Sequence, residues 1–178
     1  PFIHLQSPIL NEEELISIKK SKIQSQTIST LYEIDQGIKG FEGKLNDICE
    51  QSEKAINNGC ALIIISDKGV SSTKSFIPPL LAVGAIHHYL LKKETRLKAS
   101  LIIETGQCWS THHLACLIGY GVSAVCPWLI FESGRHWLKH PKTQKLIESK
   151  KIDSLSKEKV QTNIKKALED GLRKILSK

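Results

Sequence analysis

The sequence contains no methionine, and it opens on proline. Translation begins with Met, so Pro1 is not an unprocessed start, and a natural chain of this length without Met is unusual. The expectation is a segment cut from within a longer polypeptide. Long apolar runs are also missing. The longest, around Leu80 to Ile86, falls far short of the roughly 20 residues a membrane span needs. No basic, apolar and small-residue pattern of a signal peptide opens the chain, so a soluble domain without its own export signal is expected. The five cysteines, Cys49, Cys60, Cys108, Cys116 and Cys126, form no CxxC pair and are odd in number. That pattern argues against a disulfide framework and for small buried thiols in a reducing compartment. It also lacks ordinary zinc-knuckle and iron–sulfur spacing. P-loop, GxSxG and HExxH motifs are absent as well.

What is present begins with charge. The net formal charge is +7, and all of the excess lies in the C-terminal quarter. Residues 134–178 hold 13 Lys and Arg against 5 acids, a balance of +8, whereas residues 1–133 hold 12 against 13. A nucleic-acid patch is the first function such a distribution suggests. The segment lacks the interleaved aromatics of single-strand binders and any zinc-finger or basic-zipper pattern. A solvated helical face is therefore expected, and no nucleic-acid partner.

Strand and helix signals alternate along the chain. Asn11 followed by Glu14 forms a capping pair for a helix to Lys20. Thr27 to Ile34 reads as a strand, and Phe41, Leu45, Ile48, Ser52 and Ile56 fall at helical spacing. Ala61 to Ile65 is a continuous apolar run of the buried parallel type. Residues 66–75 read as a polar loop. Pro78 and Pro79 open a helix to about Lys93. Ala99 to Glu104 is a third strand, Ser110 to Tyr120 a helix, and Ala124 to Pro127 a short fourth strand. Helical segments follow at 129–139 and 143–149, and an amphipathic helix covers 157–177 with Val160, Ile164, Leu168 and Leu172 on one face. The fold class is α/β, a mainly parallel sheet with flanking helices, in one domain. The pattern leaves open whether the sheet is part of a barrel.

In such a fold, ligands gather at the carboxyl ends of the strands. Ser66 and Asp67, Glu104 and Thr105, and Pro127 with Trp128 occupy those ends and are the candidate site residues. Asp67 and Glu104 could do acid–base work, although an Asp67–Lys68 ion pair or a loop cap explains Asp67 equally well. Gly119-Tyr-Gly-Val-Ser-Ala124 matches a relaxed dinucleotide fingerprint, but with helix before strand, the reverse of what the motif requires. These glycines read as a helix stop and turn. Cys108, His112 and Cys116 would make a metal face only if the helix started early enough; packed or capped histidines are expected instead. His87 and His88, neighbours on an apolar helix, point about 100° apart and read as buried, hydrogen-bonded rings. No catalytic, cofactor-binding or metal-binding residue is assigned.

Three stretches carry more than spacing. Ile65-Ser-Asp-Lys-Gly-Val70 and Ile77-Pro-Pro-Leu-Leu-Ala-Val-Gly-Ala-Ile-His-His88 resemble the central domain of glutamate synthases. Cys108-Trp-Ser-Thr-His-His-Leu-Ala-Cys-Leu-Ile-Gly-Tyr-Gly121, running into Ser123-Ala-Val-Cys-Pro127, is similar to the same domain, and its opening is closer to the ferredoxin-dependent type. Gln6-Ser-Pro-Ile-Leu10 and Gly171-Leu-Arg-Lys-Ile-Leu-Ser-Lys178 extend the resemblance to nearly the whole chain. Lys68, Ser71 to Ser75 and Pro79 depart from the family pattern.

The resemblance implies a rudimentary, partial TIM-barrel-like fold related to the family's FMN domain. It also implies that residues 155–178 form the helix leading toward that domain. The full enzyme would make two glutamates from glutamine and 2-oxoglutarate, bind FMN and a 3Fe-4S cluster, and take electrons from ferredoxin in a plastid stroma or cyanobacterial cytoplasm. This segment would hold no cofactor. Its partners would be the flanking amidotransferase and FMN domains, with the loops at Ser66, Asp67, Glu104, Thr105 and Pro127 facing them and helping to wall an ammonia tunnel. The alternative is a stand-alone α/β domain binding a small phosphorylated ligand at the strand ends.

Overall fold

The computed structural model describes residues 3–177; Pro1 and Lys178, which end stretches read above, lie outside them. In chain order the elements are α1 (Glu12–Lys19), β1 (Ser25–Ser29), β2 (Leu31–Glu33), α2 (Gly37–Asn57), β3 (Leu62–Ser66), β4 (Lys74–Phe76), α3 (Pro79–Lys92), β5 (Ser100–Glu104), α4 (Thr111–Gly119), β6 (Ala124–Cys126), α5 (Trp128–Lys139), α6 (Pro141–Glu148) and α7 (Lys157–Leu176). The main sheet is parallel, in the order β1-β3-β5-β6. Each strand follows its sheet neighbour in sequence, so among the described residues the order never reverses and no topological switch point exists.

Period-two alternation divides the sheet's two faces. Ile28, Ile63, Ile65, Leu101, Ile103 and Val125 face a core built with α2, α3, α4, α5 and α7. Leu62, Ile64, Ile102, Ala124 and Cys126 face the other way, against Leu10 and against Leu15 and Ile18 of α1. The crossover helices α2, α3 and α4 thus share one face, as they do around a barrel wall; a doubly wound sheet would split them. The sheet stays open and does not close into a barrel. Its β6 edge is covered by the N-terminal segment, where the Leu10 N–H donates to the Val125 carbonyl at 2.9 Å and the Val125 N–H to that of Pro8 at 2.8 Å.

Local chemistry sets the helix ends. Asn11 caps α1 by accepting from the Glu14 N–H at 2.8 Å, and the Glu14 carboxylate accepts from the Asn11 N–H at 2.8 Å, which completes the capping box. Ser110 and Ser156 cap α4 and α7. Gly121, at φ +109°, makes the turn after α4 that the reversed glycine pattern predicts.

Two expectations fail here. Thr27 to Ile34 is not one strand. The chain leaves the sheet at Thr30, whose N–H and hydroxyl both donate to the Ser66 carbonyl, at 2.9 and 3.2 Å. Residues 31–33 then pair antiparallel with β4, which begins inside the stretch read as polar loop and ends just past it. Among the described residues no helix is long and apolar enough to cross a membrane.

Candidate functional site

At the carboxyl end of the sheet, register brings four of the predicted positions, Ser66, Asp67, Glu104 and Thr105, together. All four are buried. β3 and β5 run side by side with Ser66 opposite Glu104, so the two following residues also meet. The Ser66 hydroxyl donates to Glu104 Oε2 at 2.7 Å. One residue on, the Thr105 hydroxyl donates to Asp67 Oδ2 at 2.6 Å, and the Gly106 N–H reaches the same carboxylate at 2.9 and 3.0 Å. The indole of Trp128 donates to Asp67 Oδ1 at 3.0 Å. Three neutral donors, two from the loop after β5 and one from the first residue of α5, therefore hold one buried carboxylate, which offsets its loss of hydration without a cation.

Glu104 is handled differently. Besides Ser66, it has the Lys19 ammonium of α1 at 3.6 Å and Lys68 at 4.0 Å. Lys68 also lies over the Trp128 ring, 5.6 Å from its centroid. The Asp67–Lys68 pair offered by the sequence is thus replaced: Lys68 turns to Glu104, and Asp67 takes hydroxyl, amide and indole donors. Pro127 is buried and opens α5, while its neighbour Trp128 makes the polar contact. Cys126 lies at the end of β6, where burial and then the Glu104 and Glu12 charges push its thiol well up, so it stays protonated.

A second cluster sits at the opposite, amino end of the strands. Arg96 donates from Nε to His87 Nδ1 at 3.0 Å, from Nη1 to the Ala99 carbonyl at 2.8 Å, and from Nη2 to the Gly121 carbonyl at 2.5 Å. Burial, then Arg96, then His88 hold His87 below its ordinary value, and the neutral ring is the form that can accept from Arg96. A side chain at Gly121 would lie 2.4 Å from His87 Nδ1. The expectation for the pair holds for His87 only: its ring is hydrogen-bonded and half-buried, whereas His88 is exposed.

Cys108, His112 and Cys116 do not line up on one helix face. Cys108 is buried in the loop before α4, His112 Nε2 lies 3.6 Å from Cys116 Sγ, and His113 accepts from the Trp109 N–H through Nδ1. Among the described residues no three His, Cys, Asp or Glu side chains are placed to share a metal ion. Sequence reasoning missed two contributors to the strand-end network. Gly106 directly follows the predicted Thr105 and was signalled by that adjacency. Lys19, on a distant helix, had no signal.

The glutamate synthase central domain family model matches residues 1–178. The chain is 49 % identical over 178 residues to "Ferredoxin-dependent glutamate synthase" of Pyropia yezoensis, covering 99 % of this chain and 12 % of that protein. It is 45 % identical over 180 residues to "Ferredoxin-dependent glutamate synthase 2" of a Synechocystis species, with the same coverage of each. The rice protein "Ferredoxin-dependent glutamate synthase, chloroplastic" is 42 % identical over 180 residues, covering 99 % of this chain and 11 % of the relative. The chain therefore spans about an eighth of the curated relatives it matches, and with that match along its whole length it belongs to the glutamate synthase central domain family.

Proposed function

We propose that the protein containing this segment is a ferredoxin-dependent glutamate synthase, and that the segment is the non-catalytic piece connecting its amidotransferase and FMN domains. The whole protein would combine ammonia from glutamine with 2-oxoglutarate and two electrons from reduced ferredoxin, giving two glutamates. Residues 1–178 would act as one domain or part-domain, with 155–178 leading toward the FMN domain. The names of the relatives favour a plastid stroma or a cyanobacterial cytoplasm.

The observation that carries the scaffold role is that the strand-end carboxylates are already engaged. Asp67 is filled by Thr105, Gly106 and Trp128, and Glu104 by Ser66 and two lysines. A general acid or base needs a face open to substrate. The same network argues against the phosphorylated-ligand alternative, because the Gly106 N–H that could meet a phosphate is turned onto Asp67. FMN fits these strand ends no better for that reason, and the scattered thiols do not fit an iron–sulfur cluster. The reading places both groups on other parts of the protein.

An ammonia passage needs walls without free carboxylates, which would hold ammonium. Carboxylates closed by internal donors suit such a wall. Charging the rim should leak ammonia. In the full-length enzyme, Thr105→Glu, and Lys68→Glu as a milder variant in case the first does not fold, should raise the glutamine hydrolysed per 2-oxoglutarate consumed above one. A one-to-one ratio retained by both folded variants would remove the tunnel-wall role.

A further inference from the structure

We propose that the corner formed by the end of α5 and by α6 is a docking surface for an acidic protein partner; this rests on the reading of the chain as part of a larger electron-accepting enzyme. The corner stands on the rim of the fold. Only Leu138 and Thr143 are buried within residues 136–149, so the segment contributes little to the core and presents most of its side chains outward. Lys139, Lys142, Lys145, Lys150 and Lys151 are exposed there, and none of them joins an ion pair among the described residues. Counting on to residue 159 gives seven lysines against Glu148, Asp153 and Glu158.

Charge alone would describe a solvated face. The added observation is apolar: Trp137 is 46 % exposed and Leu146 39 % exposed. Trp137 lines an open concavity of about 310 Å³ together with Ser133, His136, Lys139 and His140. An exposed indole in a hollow, ringed by cationic and titratable side chains, has the composition of an interface anchor with a steering rim. The cations raise the encounter rate with an acidic face, and the indole supplies contact area once it arrives. Nucleic acid suits the corner less well, since single-strand binding relies on successive stacking aromatics and Trp137 is the only Trp, Tyr or Phe between residues 132 and 178.

The probe is ferredoxin, the protein that the relatives' names carry. The full-length enzyme is compared with a Lys139→Glu, Lys142→Glu, Lys145→Glu variant and with the matching triple Arg variant. Ferredoxin affinity is read by direct titration, and glutamate formation is followed with ferredoxin and with reduced methyl viologen as donors. The expected result is a ferredoxin Kd and KM raised about ten-fold or more in the Glu variant at low salt, with the gap closing as salt rises. Methyl viologen-supported turnover should be unchanged and the Arg variant normal. A ferredoxin Kd within two-fold of the parent's overturns the proposal. So does an unchanged ferredoxin Kd accompanied by loss of binding to a single-stranded oligonucleotide. Glutamate formed with neither donor by the parent enzyme would instead overturn the functional reading, while the titration still decides the surface.

Discussion

The Thr105 hydroxyl sits 2.6 Å from Asp67 Oδ2, joining the residues that directly follow two neighbouring parallel strands. Because Trp128 shares the same carboxylate, the loops after β3, β5 and β6 are held as one unit. Removing one donor from a buried acceptor costs about 1–3 kcal/mol. Thr105→Val and Trp128→Phe should each destabilise by an amount in that range, with a coupling of about 0.5 kcal/mol or more between them. Urea unfolding of both singles and the double measures this, and additive energies would show that the two contacts act independently.

Gly171 lies inside α7, where Ala is favoured over Gly by about 1 kcal/mol in a free helix. Its position reverses that preference. A Cβ there would meet Thr111 Oγ1 at 2.4 Å and Cγ2 at 2.8 Å, across the α4–α7 contact. Gly171→Ala should therefore destabilise by about 1–3 kcal/mol through overpacking. Gly43→Ala, in α2 with nothing within 4 Å of the added carbon, should stabilise by up to about 1 kcal/mol. Thermal melts of the pair test the opposite signs.

His87 gives the fold an acid-sensitive joint. The unfolded ring titrates near 6.5, and the folded one lower. Above 6.5 both states are neutral and the Arg96 contact is intact. As pH falls through 6.5 toward the folded value, the unfolded chain binds a proton that the fold resists, and stability is lost. The urea midpoint should drop between about pH 7 and about pH 5, and drop less in His87→Gln, whose side-chain carbonyl can still accept from Arg96. Equal losses in the two proteins would assign the acid sensitivity elsewhere.

Burial also sorts the thiols. It pushes Cys49 up to about 11 and Cys108 up to about 12, and Cys60 and Cys126 are buried as well. Cys116 is the one cysteine of intermediate exposure. A disulfide reagent at mildly alkaline pH should label one thiol quickly and the other four only after denaturant. Cys116→Ser should abolish the fast phase.

Much of the scaffold was legible because its signals are local. The continuous apolar run at 61–65 and the β-rich stretch 99–104 became β3 and β5, and the Asn11–Glu14 box and the Val160 to Leu172 stripe gave α1 and α7. The β2–β4 pair was not legible. Its strands are three residues long, and what divides Thr27–Ile34 is the Thr30 bonding to Ser66, a partner 36 positions away. At the strand ends, knowing where β3 and β5 stop located Ser66, Asp67, Glu104 and Thr105. The partners that neutralise them depend on register and on where α1 lies, so sequence adjacency suggested Lys68 for Asp67 while the packed fold supplied Trp128.

The bridge between Ile9 and Val125 also governs timing. During synthesis the residues around Ile9 are made well before the strand they cover, Ala124–Cys126. Until then Leu15 and Ile18 have only part of their apolar partners, and the β3 and β5 side chains on that face lack their full cover. Within these residues the sheet is sealed only when β6 meets Ile9, and a chain stopped before β6 would leave the β5 edge unpaired and available to other strands.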